Sequence, residues 1–158
     1  MPPDPLVTTH VHTDGPIPGP HSLLTLTSAA HTGGGVLIST FSANVRELPG
    51  ATLHPGALSH WRSRADDWLH SRRASRPPAL AMTDYARWID QFPGAVYVAD
   101  PARTDHLFVY WYLQRYTGRW PFAGTLLDAA VHSRLECSAL CSLTGCRAPH
   151  AAPLAATS

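Results

Sequence analysis

The sequence predicts an α/β fold in which a three-strand antiparallel meander joins helix-linked strands in one mixed sheet, with helices packed against it. Two observations support this fold class. Three short segments rich in β-branched residues follow one another closely in the first third of the chain, and the hydrophobic period then changes from two residues to three or four. The chain has 158 residues, 44% hydrophobic and 15% charged, a composition that favours one folded domain over a disordered chain.

The meander is predicted from three strands, at residues 6–13, 22–30 and 36–45. Residues 14–20 separate the first two strands, because three prolines and two glycines there remove ladder donors and disfavour helical dihedral angles. A run of glycines, Gly33–Gly35, predicts a hairpin turn between the second and third strands. Strands connected this tightly pair in the antiparallel sense.

The helical part of the chain begins where apolar residues recur at steps of three and four. This pattern predicts a helix from Leu58 to Leu69 with a break near Ser63. A second helix begins at Pro78 and ends before Phe92, since proline suits a first helical turn. Its apolar face consists of Met82, Tyr85, Ala86 and Ile89.

The last part of the predicted fold alternates strand and helix. Residues 95–99 form a short buried strand, and Thr104 caps the helix that follows it. The segment 107–113 of this helix is apolar nearly all round, which predicts a central position in the fold. Leu126 begins one more strand, which ends near Asp128.

Charge and the distribution of apolar residues narrow the classes of function. Twelve basic and eleven acidic residues give a net charge of +1, which removes a strong overall electrostatic attraction to nucleic acid or membrane. The longest apolar run, Phe108–Leu113, is too short for a membrane span, and the amino terminus lacks a signal-peptide pattern. Three cysteines between Cys137 and Cys146 fit reduced thiols. The sequence therefore predicts a cytoplasmic protein with no membrane partner.

Three segments resemble motifs of a known family. Residues 10–26, HVHTDGPIPGPHSLLTL, resemble the first motif of the bacterial branch of the DEDD superfamily of 3′–5′ exonucleases that carries a GPIPG loop. Residues 98–122, VADPARTDHLFVYWYLQRYTGRWPF, resemble its second motif, and residues 126–134, LLDAAVHSR, resemble the strand and helix start beyond it. The similarity covers residues 6–135 and implies a ribonuclease H-like fold.

In that family, four acidic side chains hold two divalent metal ions, Mg²⁺ or Mn²⁺, that hydrolyse single-stranded nucleic acid from its 3′ end. Aligned position by position, the first Asp of the family falls on His10, the Glu on His12 and the second-motif Asp on Asp105. The final family motif, a His followed five residues later by Asp, has no counterpart here. The resemblance thus implies a metal site at His10, His12 and Asp105, with Asp105 as the catalytic carboxylate.

The two histidines leave three interpretations open. They alternate along a strand, so their side chains face the same side, and imidazole suits Zn²⁺ or Ni²⁺ better than Mg²⁺. They are an eroded active site, a repurposed metal triad with Asp105, or an incidental pair in a misaligned strand. Asp14, two residues after His12, is assigned to the turn, because Asp-Gly is ordinary turn chemistry.

We therefore expect an incomplete exonuclease-like domain in residues 1–136 and a divergent, poorly ordered tail in residues 137–158. The leading interpretation of function is an exonuclease-family domain without nuclease activity, because its metal-binding acids are replaced or missing. One alternative is an active metal-dependent 3′–5′ exonuclease with atypical ligands, and another is a His-rich metal-binding or scaffold protein. The sequence leaves open the choice between DNA and RNA, the oligomeric state, and whether the tail is a frame-altered end or a real feature.

Overall fold

The computed structural model describes residues 4–51 and 54–144. In these ranges, five strands form one sheet in the order β3-β2-β1-β4-β5. The strands are β1 (Leu6–Thr13), β2 (Leu23–His31), β3 (Leu37–Asn44), β4 (Val96–Ala99) and β5 (Gly124–Leu127). The helices are α1 (Pro55–Arg62), α2 (Ala65–Arg73), α3 (Pro78–Asp90), α4 (Asp105–Thr117) and α5 (Ala129–Thr144). The predicted mixed sheet with flanking helices is confirmed.

The meander has the predicted antiparallel pairing. Strand β2 pairs with both β1 and β3, and the register places Thr27 opposite His10 and Thr25 opposite His12. The predicted hairpin turn is present, with the Thr32 amide donating to the Val36 carbonyl at 2.8 Å. Gly35 has a φ of +90°, a value that only glycine adopts at low cost. Strand β4 instead runs parallel to β1, and β5 runs parallel to β4.

One face of the sheet packs against α3 and α4 and forms the hydrophobic core. Tyr85 of α3 is fully buried, and its hydroxyl lies 3.0 Å from the hydroxyls of both Thr9 and Ser28. Burial raises the pKa of Tyr85 to about 12. Tyr112 of α4 accepts a hydrogen bond from the Leu23 amide at 2.8 Å. These buried hydroxyl groups therefore connect both helices to the sheet.

The predicted position of α4 needs correction, and the predicted break near Ser63 is confirmed. Helix α4 is buried on one face only, with Leu107 47% and Tyr110 53% exposed, so it is not central, because no further layer covers it in the described part of the chain. The helix predicted over residues 58–69 is two helices that meet at the predicted break, where Ser63 ends α1. They lie at the periphery, and Leu69 is half exposed.

Helix α5 crosses the opposite face of the sheet, where it contacts β1, β2, β3 and β4. The domain boundary expected between residues 136 and 137 lies inside this helix. Beyond the expected boundary, the Ser138 hydroxyl donates to the Gly35 carbonyl at 2.9 Å and so connects α5 to the hairpin turn. The rest of the predicted tail, 145–158, lies outside the described residues. Within the described ranges, no helix has the length and apolar character needed to cross a bilayer.

Candidate functional site

The parallel pairing of β1 with β4 brings two predicted site residues together. His10 lies in the second half of β1, and Asp105 is the first residue of α4, shortly after the carboxyl end of β4. His10 Nδ1 is 3.8 Å from Asp105 Oδ2. The rings of His10 and His12 contact each other edge to face at 4.9 Å, so both histidines lie on the same side of the strand, as predicted. All three aligned positions therefore lie at one end of the sheet, near the carboxyl ends of β1 and β4.

The Asp105 carboxylate is largely withdrawn from solvent. Its side chain is 14% exposed, and burial raises its pKa, although the nearby Arg103 and His10 act in the opposite direction. Its buried Oδ2 forms an ion pair with Arg103 at 2.9 Å, in a geometry that makes no hydrogen bond. Thr104 is the N-cap residue of α4, but its side chain makes no capping hydrogen bond, in contrast to the prediction. The cap is closed by the backbone instead, where the Leu107 amide donates to the Thr104 carbonyl.

The guanidinium group of Arg103 lies between His10 and Asp105. Arg103 Nη2 is 2.9 Å from Asp105 Oδ2 and also hydrogen-bonds His10 Nδ1. Because an arginine can only donate, His10 Nδ1 must be the acceptor, which places the proton of a neutral imidazole on Nε2. The loop before α4 positions Arg103, since its amide donates to the Asp100 carbonyl at 3.1 Å. The sequence reasoning did not identify Arg103, although it lies two residues before Asp105.

Helix α5 adds a carboxylate and an imidazole to the same end of the sheet. Asp128 caps α5, with its Oδ1 accepting from the amides of Ala130 at 2.9 Å and Val131 at 3.0 Å. The helix then carries Glu136 to the site, where its Oε1 is 3.9 Å from Arg103 Nη1. The buried His132 lies beneath it, with Nδ1 3.7 Å from Glu136 Oε2. The available sequence signal was that Glu136 is the only acid after Asp128.

His12 packs against α1 and makes no ion pair with Asp105. Its ring stacks on His60 at 6.1 Å and meets Trp61 at 5.8 Å. Burial is the main cause that lowers the pKa of His12 to about 4, and the neighbouring His10 and Arg64 lower it further. His12 is therefore neutral at physiological pH and part of an aromatic cluster.

Asp14 occupies the turn position predicted for it. Its Oδ1 accepts from the Ser22 amide, and its own amide donates to the Ser22 carbonyl at 3.1 Å. These bonds close the GPIPG loop. A Cβ atom on Gly15 would lie 2.2 Å from the His21 ring, so this position requires glycine. Gly19, with a φ of +103°, lies against Trp111 of α4. Asp14 is thus a structural residue of the loop.

The site does not fit the pair of Mg²⁺ or Mn²⁺ ions that the resemblance implies. Such ions take oxygen ligands and need negative charge around them. Here two of the aligned positions carry imidazoles, and the positive Arg103 already contacts the remaining acid. Among residues 4–51 and 54–144, no three His, Cys, Asp or Glu side chains converge in a way that could hold a metal ion.

A cleft of about 370 Å³ opens beside Arg103, between the strands of the meander and α5. Hydroxyl-bearing side chains of β1, β2 and β3 line its floor, and α5 forms its wall. Its lining includes Thr8, Thr27, Thr40, Arg103, Glu136 and Ala139. Most of the surface of the cleft is apolar, and its polar groups include the threonine hydroxyls and the side chains of Arg103 and Glu136 at the candidate site.

The fold is shared with exonuclease I. A solved exonuclease I structure superposes with a TM-score of 0.62 at 12% identity, over 79% of this chain and 28% of that one. E. coli exonuclease I in complex with a 5cy-dA13 oligonucleotide matches with a TM-score of 0.59 at 10% identity, over the same shares of the two chains. The zinc ion bound form of the E. coli protein with ssDNA matches at 0.60 and 10% identity, over 80% and 28% of the chains.

These likenesses confirm the predicted ribonuclease H-like sheet at the level of fold. The chain spans less than a third of the length of the exonuclease I chains it matches. No family model and no curated protein sequence matches it. These matches therefore show a shared fold, and they do not assign the activity of exonuclease I to this chain.

Proposed function

We propose that this chain is an exonuclease-like domain that binds the 3′ end of single-stranded nucleic acid and does not hydrolyse it with a divalent metal. The observation that carries the proposal is the Arg103 guanidinium, which lies between His10 and Asp105. These are the positions at which the aligned family carries its metal-binding acids. Asp105, aligned with a catalytic carboxylate, here serves as the partner of an arginine.

The absence of hydrolysis follows from electrostatics. Two-metal hydrolysis needs a pair of dications that stabilise the attacking and leaving oxygens. A dication within about 4 Å of a guanidinium is repelled by several kcal/mol, even at the effective dielectric constant of a protein surface. Asp105 and Glu136 supply two negative charges, and Arg103 neutralises one of them. Too little negative charge is left to hold two dications.

The cleft supports the binding part of the proposal. It opens directly from the candidate site, and its threonine hydroxyls and the Arg103 guanidinium can donate to phosphate oxygens. Two of the solved exonuclease I structures with this fold are complexes with a single-stranded oligonucleotide. A net charge of +1 predicts few phosphate contacts and hence weak binding with a shallow dependence on salt concentration.

The test uses a 5′-labelled single-stranded oligonucleotide, as DNA and as RNA, with the purified chain. Fluorescence anisotropy measures binding, and gel electrophoresis after incubation with Mg²⁺ or Mn²⁺ measures shortening. We expect saturable binding of single strands, weaker binding of a blunt duplex, and no shortening. E. coli exonuclease I serves as the positive control for cleavage. No binding to single strands, or metal-dependent shortening from the 3′ end, would contradict the proposal.

A second candidate function is an active exonuclease with atypical ligands. The observation in its favour is the pair formed by Glu136 and His132, which adds an acid and an imidazole to the end of the sheet that holds Asp105. The cleavage assay separates the two candidates. If the parent chain cleaves and Glu136→Gln abolishes cleavage, the second candidate is correct.

A further inference from the structure

We propose that two copies of this chain pair through the outer edge of β3 and so join their sheets into one. This inference goes beyond the proposed function, because nucleic acid takes no part in it. In the described ranges, β3 is the last strand of the sheet, so no strand pairs with its outer side. An edge strand of this kind presents unpaired amide and carbonyl groups that can pair with another chain.

The bonds at the carboxyl end of β3 identify which of its backbone groups point outward. The Val45 amide donates to the Leu24 carbonyl at 2.8 Å, so Val45 faces β2. The direction of the ladder groups alternates along an antiparallel strand, and Ile38, Thr40 and Ser42 therefore face outward. Within the described residues, their amides and carbonyls have no partner on that side.

The chain itself closes both ends of this open run. At the carboxyl end, the Arg76 amide donates to the Asn44 carbonyl at 2.8 Å, so another segment already occupies the edge there. At the amino end, the Val36 carbonyl is the acceptor of the 2.8 Å bond that closes the hairpin turn. The groups left open are those of residues 38–42, and Thr40 lies at the centre of this run.

A second copy of the same edge fits the open run. In antiparallel pairing about a two-fold axis at Thr40, Ile38 of one copy lies opposite Ser42 of the other, and the two Thr40 residues lie opposite each other. Every outward amide and carbonyl of the run then has a partner. On the α3 side of the sheet, Ser39 of each copy faces the half-buried Phe41 of the other. The surface is thus complementary to itself, as a two-fold interface requires.

The composition of the edge permits this pairing. Residues 36–45 contain no charged residue and no proline, which are common means of keeping edge strands apart. The pairing of β2 with β3 is regular from Ser39 to Asn44, so no bulge turns the edge away. Two copies therefore meet without repulsion between like charges, and the 49% exposed Ile38 gains a neighbouring strand.

The pairing also relates the clefts of the two copies. Thr40 lines the cleft, and opposed residues of an antiparallel pair point to the same face of the sheet. The two clefts therefore lie side by side on one face of the joined sheet.

The first test measures mass by sedimentation equilibrium from about 1 µM to about 1 mM, because a short edge contact forms a reversible dimer. Thr40→Lys and Thr40→Glu each place like charges opposite each other at the axis. Thr27→Lys is the matched control, because Thr27 is exposed on the same face but belongs to the interior strand β2. Circular dichroism checks folding.

We expect the parent and Thr27→Lys to dimerise, and the two variants at position 40 to dimerise at least about tenfold more weakly. An equimolar mixture of Thr40→Lys and Thr40→Glu should recover the dimer, because opposite charges then face each other.

The second test is a disulfide cross-link, which does not depend on charge. Cys137, Cys141 and Cys146 are replaced by Ser, and Thr40→Cys or Thr27→Cys is added. Opposed residues of a hydrogen-bonded pair have Cα atoms about 5.5 Å apart, within the range that a disulfide spans. We expect oxidation to cross-link Thr40→Cys and to leave Thr27→Cys monomeric.

The proposal is overturned if the parent stays monomeric up to about 1 mM, if the charged variants at position 40 dimerise like the parent, or if Thr27→Cys cross-links as fast as Thr40→Cys. A parent that dimerises only after removal of residues 145–158 would show that this segment covers the edge, which also overturns the proposal. These readouts contain no nucleic acid, so their failure is distinct from failure of the proposed function.

Discussion

The His12 imidazole illustrates how burial governs this site at the scale of single residues. It lies between His10 and the aromatic residues of α1, with the guanidinium groups of Arg64 and Arg103 nearby. A proton on His12 would lose hydration and face these cations and the imidazole of His60. The neutral ring is therefore the stable form in the folded chain.

His12 makes the free energy of unfolding depend on pH, and the sign of this dependence follows from the linkage between proton binding and folding. The pKa of His12 is lowered from 6.5 to about 4 on folding, so below about pH 6.5 the unfolded chain takes up a proton that the folded chain does not. The contribution of His12 to the free energy of unfolding is therefore lost as pH falls from about 6.5 to about 4. After allowance for partial exposure, this loss is about 1–2 kcal/mol.

We expect His12→Gln to remove that part of the pH dependence. Urea denaturation near pH 7 and near pH 5 measures the difference for the parent and the variant. His70→Gln, at an exposed position of α2, controls for the loss of a histidine and should keep the slope of the parent. A His12→Gln slope equal to that of the parent would show that His12 is not the group responsible.

At the scale of elements, one side chain fixes the peripheral helices to the sheet. Arg72 of α2 donates to the Val45 carbonyl at 2.7 Å and to the Leu24 carbonyl at 2.8 Å. It also pairs with Glu47 at 3.2 Å and is 14% exposed. Trp61 is the only large apolar side chain of α1 or α2 that is buried in the described structure. Helix α2 therefore depends on polar anchoring.

We expect Arg72→Ala to lower the free energy of unfolding by about 2–3 kcal/mol, because two backbone carbonyls lose a charged donor. Chemical denaturation measures the loss, and hydrogen exchange should show faster exchange in α1 and α2 than in α4. Arg73→Ala, at the neighbouring exposed position, should change the free energy of unfolding by less than about 0.5 kcal/mol. Equal effects of the two substitutions would rule out the anchoring role.

The elements themselves were largely predictable, because their signals are local. The glycines at 33–35 specify a hairpin turn, and the recurrence of apolar residues at steps of three and four around Tyr85 specifies α3. Both signals act locally and do not depend on the rest of the fold. The peripheral position of α1 and α2 was not predictable from the period of three to four, since that period shows an apolar face and not how much of it is covered. The path of α5 across the sheet depends on the direction in which the chain leaves β5, which is a tertiary property.

At the scale of the whole molecule, the site is assembled from three distant segments. The aligned motifs predicted a common metal site for His10, His12 and Asp105. The structure brings His10 and Asp105 to within 3.8 Å and places His12 against His10 and the aromatic residues of α1. Arg103 and Glu136 were missed for a physical reason. Their long side chains reach the site from a loop and from α5. Arg103 lies inside the second motif, but it is not one of the aligned acidic positions, and Glu136 lies beyond the last motif.

Restoring the acids of the first motif should restore metal binding without restoring hydrolysis. We expect Mn²⁺ affinity, measured by calorimetry, to rise from the parent to His10→Asp with His12→Glu, and again when Arg103→Gln is added. Hydrolysis of a single-stranded oligonucleotide should stay near background in all three, because a missing general base costs about 10²–10⁴-fold in rate. Rapid 3′ shortening by the double variant would contradict this expectation, because it would show that a residue already present in the chain supplies the base.

The most direct measurement is a crystal structure of the unmodified chain grown with excess MnCl₂, with an anomalous difference map to locate manganese. We expect the Arg103 guanidinium to lie between His10 and Asp105, with no anomalous peak within coordination distance of Asp105. A manganese ion bound to Asp105, with the Arg103 side chain displaced, would contradict the central claim that an arginine has replaced the metal at this site.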